Sequence, residues 1–257
     1  MNLESHLRAR RATGAKLLVP YVTGGLGDWV EVVRAAAAAG ADAVEVGIPF
    51  SDPVMDGPTI QEASQRALAA GATPSGILAA ARDLDIGIPL VAMAYYNTIH
   101  HAGHERFATE LVDAGIDGAI VPDLPLDELD GWGDAADAAG VETVLLAAPT
   151  TPDDRLRAIC ERARGFVYGV SLLGVTGERE RLAAQAETMG RRCKAMTDRP
   201  VLIGVGISTP EQAATAAGVA DGVIVGSALM RRVLEDQGID AVHAFVAELR
   251  KALDGAT

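Results

Sequence analysis

Short runs of apolar residues, many of them β-branched, alternate along this chain with longer stretches in which apolar positions recur at helical spacing. Residues 17–22, 43–47, 90–94, 118–121, 143–147, 166–171, 201–205 and 222–225 read as strands. Most are continuous apolar runs rather than strict alternations, as expected of parallel strands covered on both faces. Residues 29–39, 59–70, 106–114, 127–139 and 152–163 carry helical patterns between them. Gly40, Gly115 and Gly140 stand where a left-handed residue ends a helix, and each is followed two positions later by an acid, Asp42, Asp117 or Glu142. Gly115, Gly140 and Gly165 recur at equal intervals, close to the ~30 residues of one βαβ unit. Eight such units predict a (β/α)8 TIM barrel, one domain over residues 1–257. An amphipathic segment, 3–11, precedes the first strand, and an extra helix, 74–84, sits between strands two and three. A doubly wound open sheet is the alternative.

Composition narrows the function classes. At 257 residues and 49% hydrophobic, the chain can bury one large core. A net charge of −13 argues against nucleic acid or an anionic membrane as partner. No apolar run approaches the ~20 residues of a membrane span, and the charged N-terminal stretch is not a signal peptide. A cytoplasmic protein is expected. Cys160 and Cys193, far apart in sequence and without metal spacing, read as reduced, buried thiols.

Chemistry is expected at the strand C-termini and the loops beyond them. The residues there are Glu45, Asp56, the segment Tyr95-Tyr96-Asn97, Asp123, residues 171–177, Gly204, Gly206, Ser208, Gly226 and Ser227. Strand parity turns Glu45 the same way as Ala43 and Gly47, into space those small neighbours leave empty. A carboxylate on a buried strand is costly unless paired or kept neutral, so a pocket floor is its natural place. Asp56 is either a second catalytic acid or a support for its Pro-rich turn, and Asp123 either a functional or a turn-orienting acid. The glycines and serines of loops seven and eight suggest a phosphate cradle built from backbone amides and Ser227, since no Lys or Arg lies in those loops. Residues 172–178 read as a mobile lid or a plain Gly-hinged connector. The three lysines, Lys16, Lys194 and Lys251, are not placed for a Schiff base at the catalytic face. His100, His101 and His104 lack an acid to complete a metal set. A carboxylate pair opposite a phosphate cradle, with aromatic and apolar residues between, suits acid–base chemistry on a phosphorylated, partly apolar substrate.

Residues 44–53, Val-Glu-Val-Gly-Ile-Pro-Phe-Ser-Asp-Pro, together with Asp56-Gly57-Pro58-Thr59-Ile60-Gln61, resemble the signature of the tryptophan synthase α-subunit family. Val19-Pro20-Tyr21-Val22-Thr23, Tyr95-Tyr96-Asn97, Pro122-Asp123-Leu124-Pro125, Gly174-Val175-Thr176-Gly177, Gly204-Val205-Gly206-Ile207-Ser208 and Gly226-Ser227 extend the match along the chain. The resemblance implies a carbon–carbon lyase of tryptophan biosynthesis. It would cleave indole-3-glycerol phosphate to indole and D-glyceraldehyde 3-phosphate by a retro-aldol reaction without metal or Schiff base. It further implies Glu45 as proton-transferring acid/base and Asp56 as acceptor for the indole N–H. Tyr21, Tyr95, Tyr168 and Thr176 would contact substrate, and Gly177, Gly206, Gly226 and Ser227 the phosphate. A β-subunit partner in an α2β2 complex is also implied, docking on Asp52, Pro53, Asp123 and Pro125 and carrying the pyridoxal phosphate that this chain lacks. Val205 and Leu172-Leu173 depart from the common pattern at the indole pocket and lid. A free-standing lyase, a non-catalytic activator of a β subunit and a phosphosugar isomerase are the competing functions.

Overall fold

The computed structural model describes residues 2–170, 178–204 and 206–256, leaving aside the side chains of 178–185. In chain order the elements are α1 (Leu3–Ala12), β1 (Leu17–Thr23), α2 (Trp29–Ala38), β2 (Val44–Gly47), α3 (Pro58–Ala69), α4 (Pro74–Ala81) and β3 (Leu90–Met93). They continue with α5 (Tyr96–Ala102), α6 (His104–Asp113), β4 (Gly118–Ile120), α7 (Asp130–Ala139), β5 (Glu142–Ala147), α8 (Asp153–Arg162) and β6 (Val167–Val170). The last are α9 (Glu178–Lys194), β7 (Val201–Gly204), α10 (Pro210–Ala217), β8 (Gly222–Val225), α11 (Ser227–Leu234) and α12 (Ile239–Asp254). The strands pair in parallel in the order β1 to β8, and β8 closes on β1. The open-sheet alternative is thereby excluded. No helix of the described residues is long and apolar enough to cross a membrane.

All eight strands fall where the apolar runs put them, and most of their residues are buried. Gly40, Gly115 and Gly140 all adopt positive φ at helix ends. The acids that follow serve the bottom of the barrel. Asp42 accepts from the Leu18 N–H, Arg10 and Arg250, and Glu142 accepts from the Asn2 side chain and the Glu4 N–H. They hold α1 across the N-terminal mouth, where Leu3 packs against the bare backbones of Gly118 and Gly165.

Several boundaries differ from the sequence reading: the helix expected over 74–84 ends at Ala81 and the one over 106–114 starts at His104. The segment 127–139 splits into a 3₁₀ turn, Leu126–Glu128, and α7. Tyr96 and Asn97 open a short helix instead of lying in a loop. Cys160 on α8 and Cys193 on α9 are free and buried.

Candidate active site

A cavity of about 420 Å³ opens at the C-terminal mouth of the barrel. Its walls follow from strand register. Tyr21 pairs with Glu45, Gly47 with Met93, Met93 with Ile120, and Leu146 with Tyr168, so these positions share the inward face. The apolar members Met93, Ile120, Leu146 and Ile224 were not singled out from sequence; a parity count outward from Glu45 would have found them.

Glu45 lines this cavity and is 1% exposed. Its Oε2 has no hydrogen-bond partner among the described residues. Burial first, and the nearby charge of Asp56 second, push its carboxyl up to about 8. The space beside it is not empty as parity suggested. The Tyr21 ring lies across Gly47, where a Cβ would collide with it. Gly204 likewise makes room for the Tyr168 ring, so this glycine clears a side chain instead of a ligand. The two phenols wall the cavity on either side, and burial holds both well above the ordinary tyrosine range.

Asp56 sits in the loop between β2 and α3. Burial lifts its carboxyl to about 6, opposed by the polar influence of the Tyr95 hydroxyl. Tyr95 is buried, accepts from the Met55 N–H at 3.0 Å, and stacks on Phe50 with ring centroids 5.1 Å apart. Both carboxyls are thus held above the ordinary carboxylate range, Glu45 further than Asp56.

Beyond β7 and β8 the described backbone fits an anion. Gly206 takes φ +66° with open space where a Cβ would stand, and α11 opens at Ser227, directly after Gly226. Ser208 is committed elsewhere, since both its N–H and hydroxyl donate to Gln212. The carboxylates and these loops are not diametrically opposed. Only β1 separates β2 from β8, and β6, bearing Tyr168, faces β2 across the barrel. Thr176, Gly177, Leu172, Leu173 and Val205 lie outside the described residues.

Of the remaining expected positions, Asp52, Asp123 and Pro125 are exposed and Pro53 is half-buried. Asp123 accepts from the Tyr96 N–H at 2.8 Å, which caps the start of α5 and supports its turn-orienting reading. Val54 and Met55, 79% and 45% exposed, add apolar surface to the same loop and were not anticipated. His100 and His101 are exposed, whereas His104 meets the Tyr96 hydroxyl and the Trp132 ring edge. Lys16 and Lys194 are tied to the Ala220 carbonyl and to Asp221 at the strand N-termini.

Comparison with known proteins points one way. A sequence model of the family described as tryptophan synthase alpha chain matches residues 7–254. The tryptophan synthase alpha chains of Thermobifida fusca and Streptomyces coelicolor are 43% and 44% identical, covering 99% and 98% of this chain and 98% and 97% of their own lengths. A solved Mycobacterium tuberculosis tryptophan synthase superposes with a TM-score of 0.90 at 38% identity, covering 98% of this chain and 97% of that one.

Proposed function

Because the chain belongs to the tryptophan synthase alpha chain family, we propose that it cleaves indole-3-glycerol phosphate to indole and D-glyceraldehyde 3-phosphate through Glu45 and Asp56. The observation that carries this reading is the pair of acids at one cavity, Glu45 buried in its wall with Oε2 unpartnered among the described residues and Asp56 in the loop beyond β2. Glu45 gives its proton to the ring carbon that bears the side chain. The ring becomes an iminium ion, and ionised Asp56 accepts the indole N–H and stabilises the charge developing there. The carbon–carbon bond then breaks, its electrons returning to the ring. The hydroxyl on the departing carbon becomes the aldehyde and its proton returns to Glu45, so the proton count closes. The protonated ring is the electron sink, so the reaction needs neither imine nor metal. Lys16 and Lys194, tied down at the far end of the barrel, support the reading without an imine.

Met93, Ile120, Leu146 and the two tyrosines suit a flat bicyclic ring, and Gly206, Gly226 and Ser227 suit its phosphate. Thr176 and Gly177 complete the site in this reading. The family implies a β-subunit partner; the proposed assembly is a cytoplasmic α2β2 complex in which pyridoxal phosphate belongs to the β subunit. The exposed loop carrying Asp52, Pro53, Val54 and Met55, with Asp123 and Pro125 beside it, is the proposed docking face. Indole release from indole-3-glycerol phosphate by the isolated chain tests the reading. Wild type releases indole and Glu45→Gln loses about 10²–10⁴-fold while keeping its fold; equal turnover by the variant would remove Glu45 from the mechanism. Turnover unchanged by added β subunit would favour a free-standing lyase.

A further inference from the structure

Two helices start at the rim of the cavity, α3 behind the Asp56 loop and α11 behind the anion loop. Neither start has a side-chain cap: α3 opens at Pro58 after Gly57, and α11 at Ser227 after Gly226. Asp56, Gly57, Gly226 and Ser227 all line the cavity. The start of α3 is held by other side chains instead. The Arg231 guanidinium of α11 donates to the Thr59 hydroxyl at 2.8 Å, and the Gln61 side-chain amide donates to the Asp56 carbonyl at 2.8 Å. Thr59 is 8% exposed, so its hydroxyl depends on a fixed partner more than on water. Ser227 and Arg231 stand about one helical turn apart and share one face of α11. A hydrogen-bonded route therefore runs from the helix that begins at the anion site, through Arg231 and Thr59, to the first turn of α3 and through Gln61 to Asp56.

We propose that Arg231 is a positioning residue: its strap from α11 to Thr59 holds the Asp56 loop at a fixed distance from the phosphate-binding amides. The inference rests on the lyase reading and adds to it a residue that does not line the cavity. A substrate anchored by its phosphate reaches Asp56 with its ring N–H, so any error in that separation appears at the reacting atoms. The other ties of the loop do not set this distance. The Asp56 N–H donates to the Pro53 carbonyl within the loop itself, and the Met55 N–H holds it to Tyr95 beyond β3. Arg66 of α3 donates to the Leu234 carbonyl at 3.0 Å, which joins α3 and α11 toward their C-terminal ends, away from the site. A guanidinium that bound the phosphate directly would have a different role, and kinetics separates the two.

The experiment compares indole-3-glycerol phosphate cleavage by the isolated chain in wild type, Arg231→Met, Thr59→Val and the double variant. Each single variant should lose about tenfold in kcat with KM changed less than about threefold, and the double variant should be no worse than either alone. Thr59→Ser, which keeps the acceptor, should regain most of the loss, and Arg66→Met should keep the wild-type kcat. Wild-type kcat in Arg231→Met, or losses that multiply in the double variant, would overturn the inference. A raised KM and weakened binding of inorganic phosphate in Arg231→Met alone would make Arg231 a phosphate ligand and overturn it as well. Arg231 is exposed, so Arg231→Met carries the test even where Thr59→Val folds poorly. Wild type that releases no indole overturns the lyase reading itself, and hydrogen exchange then decides the strap. The Ile60 and Gln61 amides, both bonded to the Gly57 carbonyl, should exchange about tenfold faster in Arg231→Met than in wild type; unchanged exchange contradicts the strap.

Discussion

A carboxylic acid held neutral inside a barrel weakens the fold as the pH rises, and Glu45 is such a group. Its carboxyl lies near 8 in the folded chain against an ordinary 4.5. Between those values the folded state binds more of its proton than the unfolded state does, so stability falls with rising pH across that window and the full loss is reached above it. Glu45→Gln removes this dependence. Thermal melts should show the melting temperature of the variant gaining on wild type steadily from about pH 5 to about pH 8; parallel curves would mean that Glu45 is not held neutral. Glu45 was legible in sequence because an acid in an apolar strand has no structural reason to be there. The hydrogen bond from the Met55 N–H to the Tyr95 hydroxyl was not. It joins residues distant in the chain through the conformation of an irregular loop, and neither residue type announces the contact.

Among the elements, two glycines shape the cavity by making room for rings on neighbouring strands. Gly47 of β2 lies under Tyr21 of β1, and Gly204 of β7 under Tyr168 of β6. Adding a methyl group at either forces a ring into the cavity or strains the strand, at a cost of about 1–3 kcal/mol. Gly47→Ala should lower stability by that amount and raise KM, and Tyr21→Leu in the same chain should recover the stability, as measured by denaturant unfolding. The bottom of the barrel offers a control. Glu142→Ala removes the acceptor for the Glu4 N–H and the Asn2 side chain, and should cost about 1 kcal/mol with little effect on indole release. The strands were legible because each is a buried apolar run. The start of α5 was not, since Tyr96-Asn97-Thr98 shows no apolar periodicity and is set in place by Asp123. Nor was the break before α7, where Pro125 opens a 3₁₀ turn in an acidic stretch that reads as continuous helix.

For the whole molecule, eight apolar strands in one chain direction, with glycine-ended helices between them, left few topologies open, and the closed barrel follows from them. Closure explains why residues scattered from Tyr21 to Ser227 share one cavity. It also put the carboxylates and the anion loops on nearby arcs, which strand parity within single strands could not tell. The exposed apolar tip of the β2–α3 loop is a feature of the assembled surface and leaves no periodic trace in the sequence. As a docking surface it predicts that Val54→Asp weakens β-subunit binding by about tenfold or more in calorimetry, and unchanged affinity would place the partner elsewhere. Everything in the mechanism depends on where substrate sits relative to Glu45 and Asp56. That placement is tested most directly by a crystal structure of the Glu45→Gln chain with indole-3-glycerol phosphate bound. The substituted ring carbon should lie beside residue 45, the ring N–H on the Asp56 carboxylate, and the phosphate on the amides of Gly206, Gly226 and Ser227. An indole turned away from Asp56, or a phosphate held outside those loops, would contradict the mechanism.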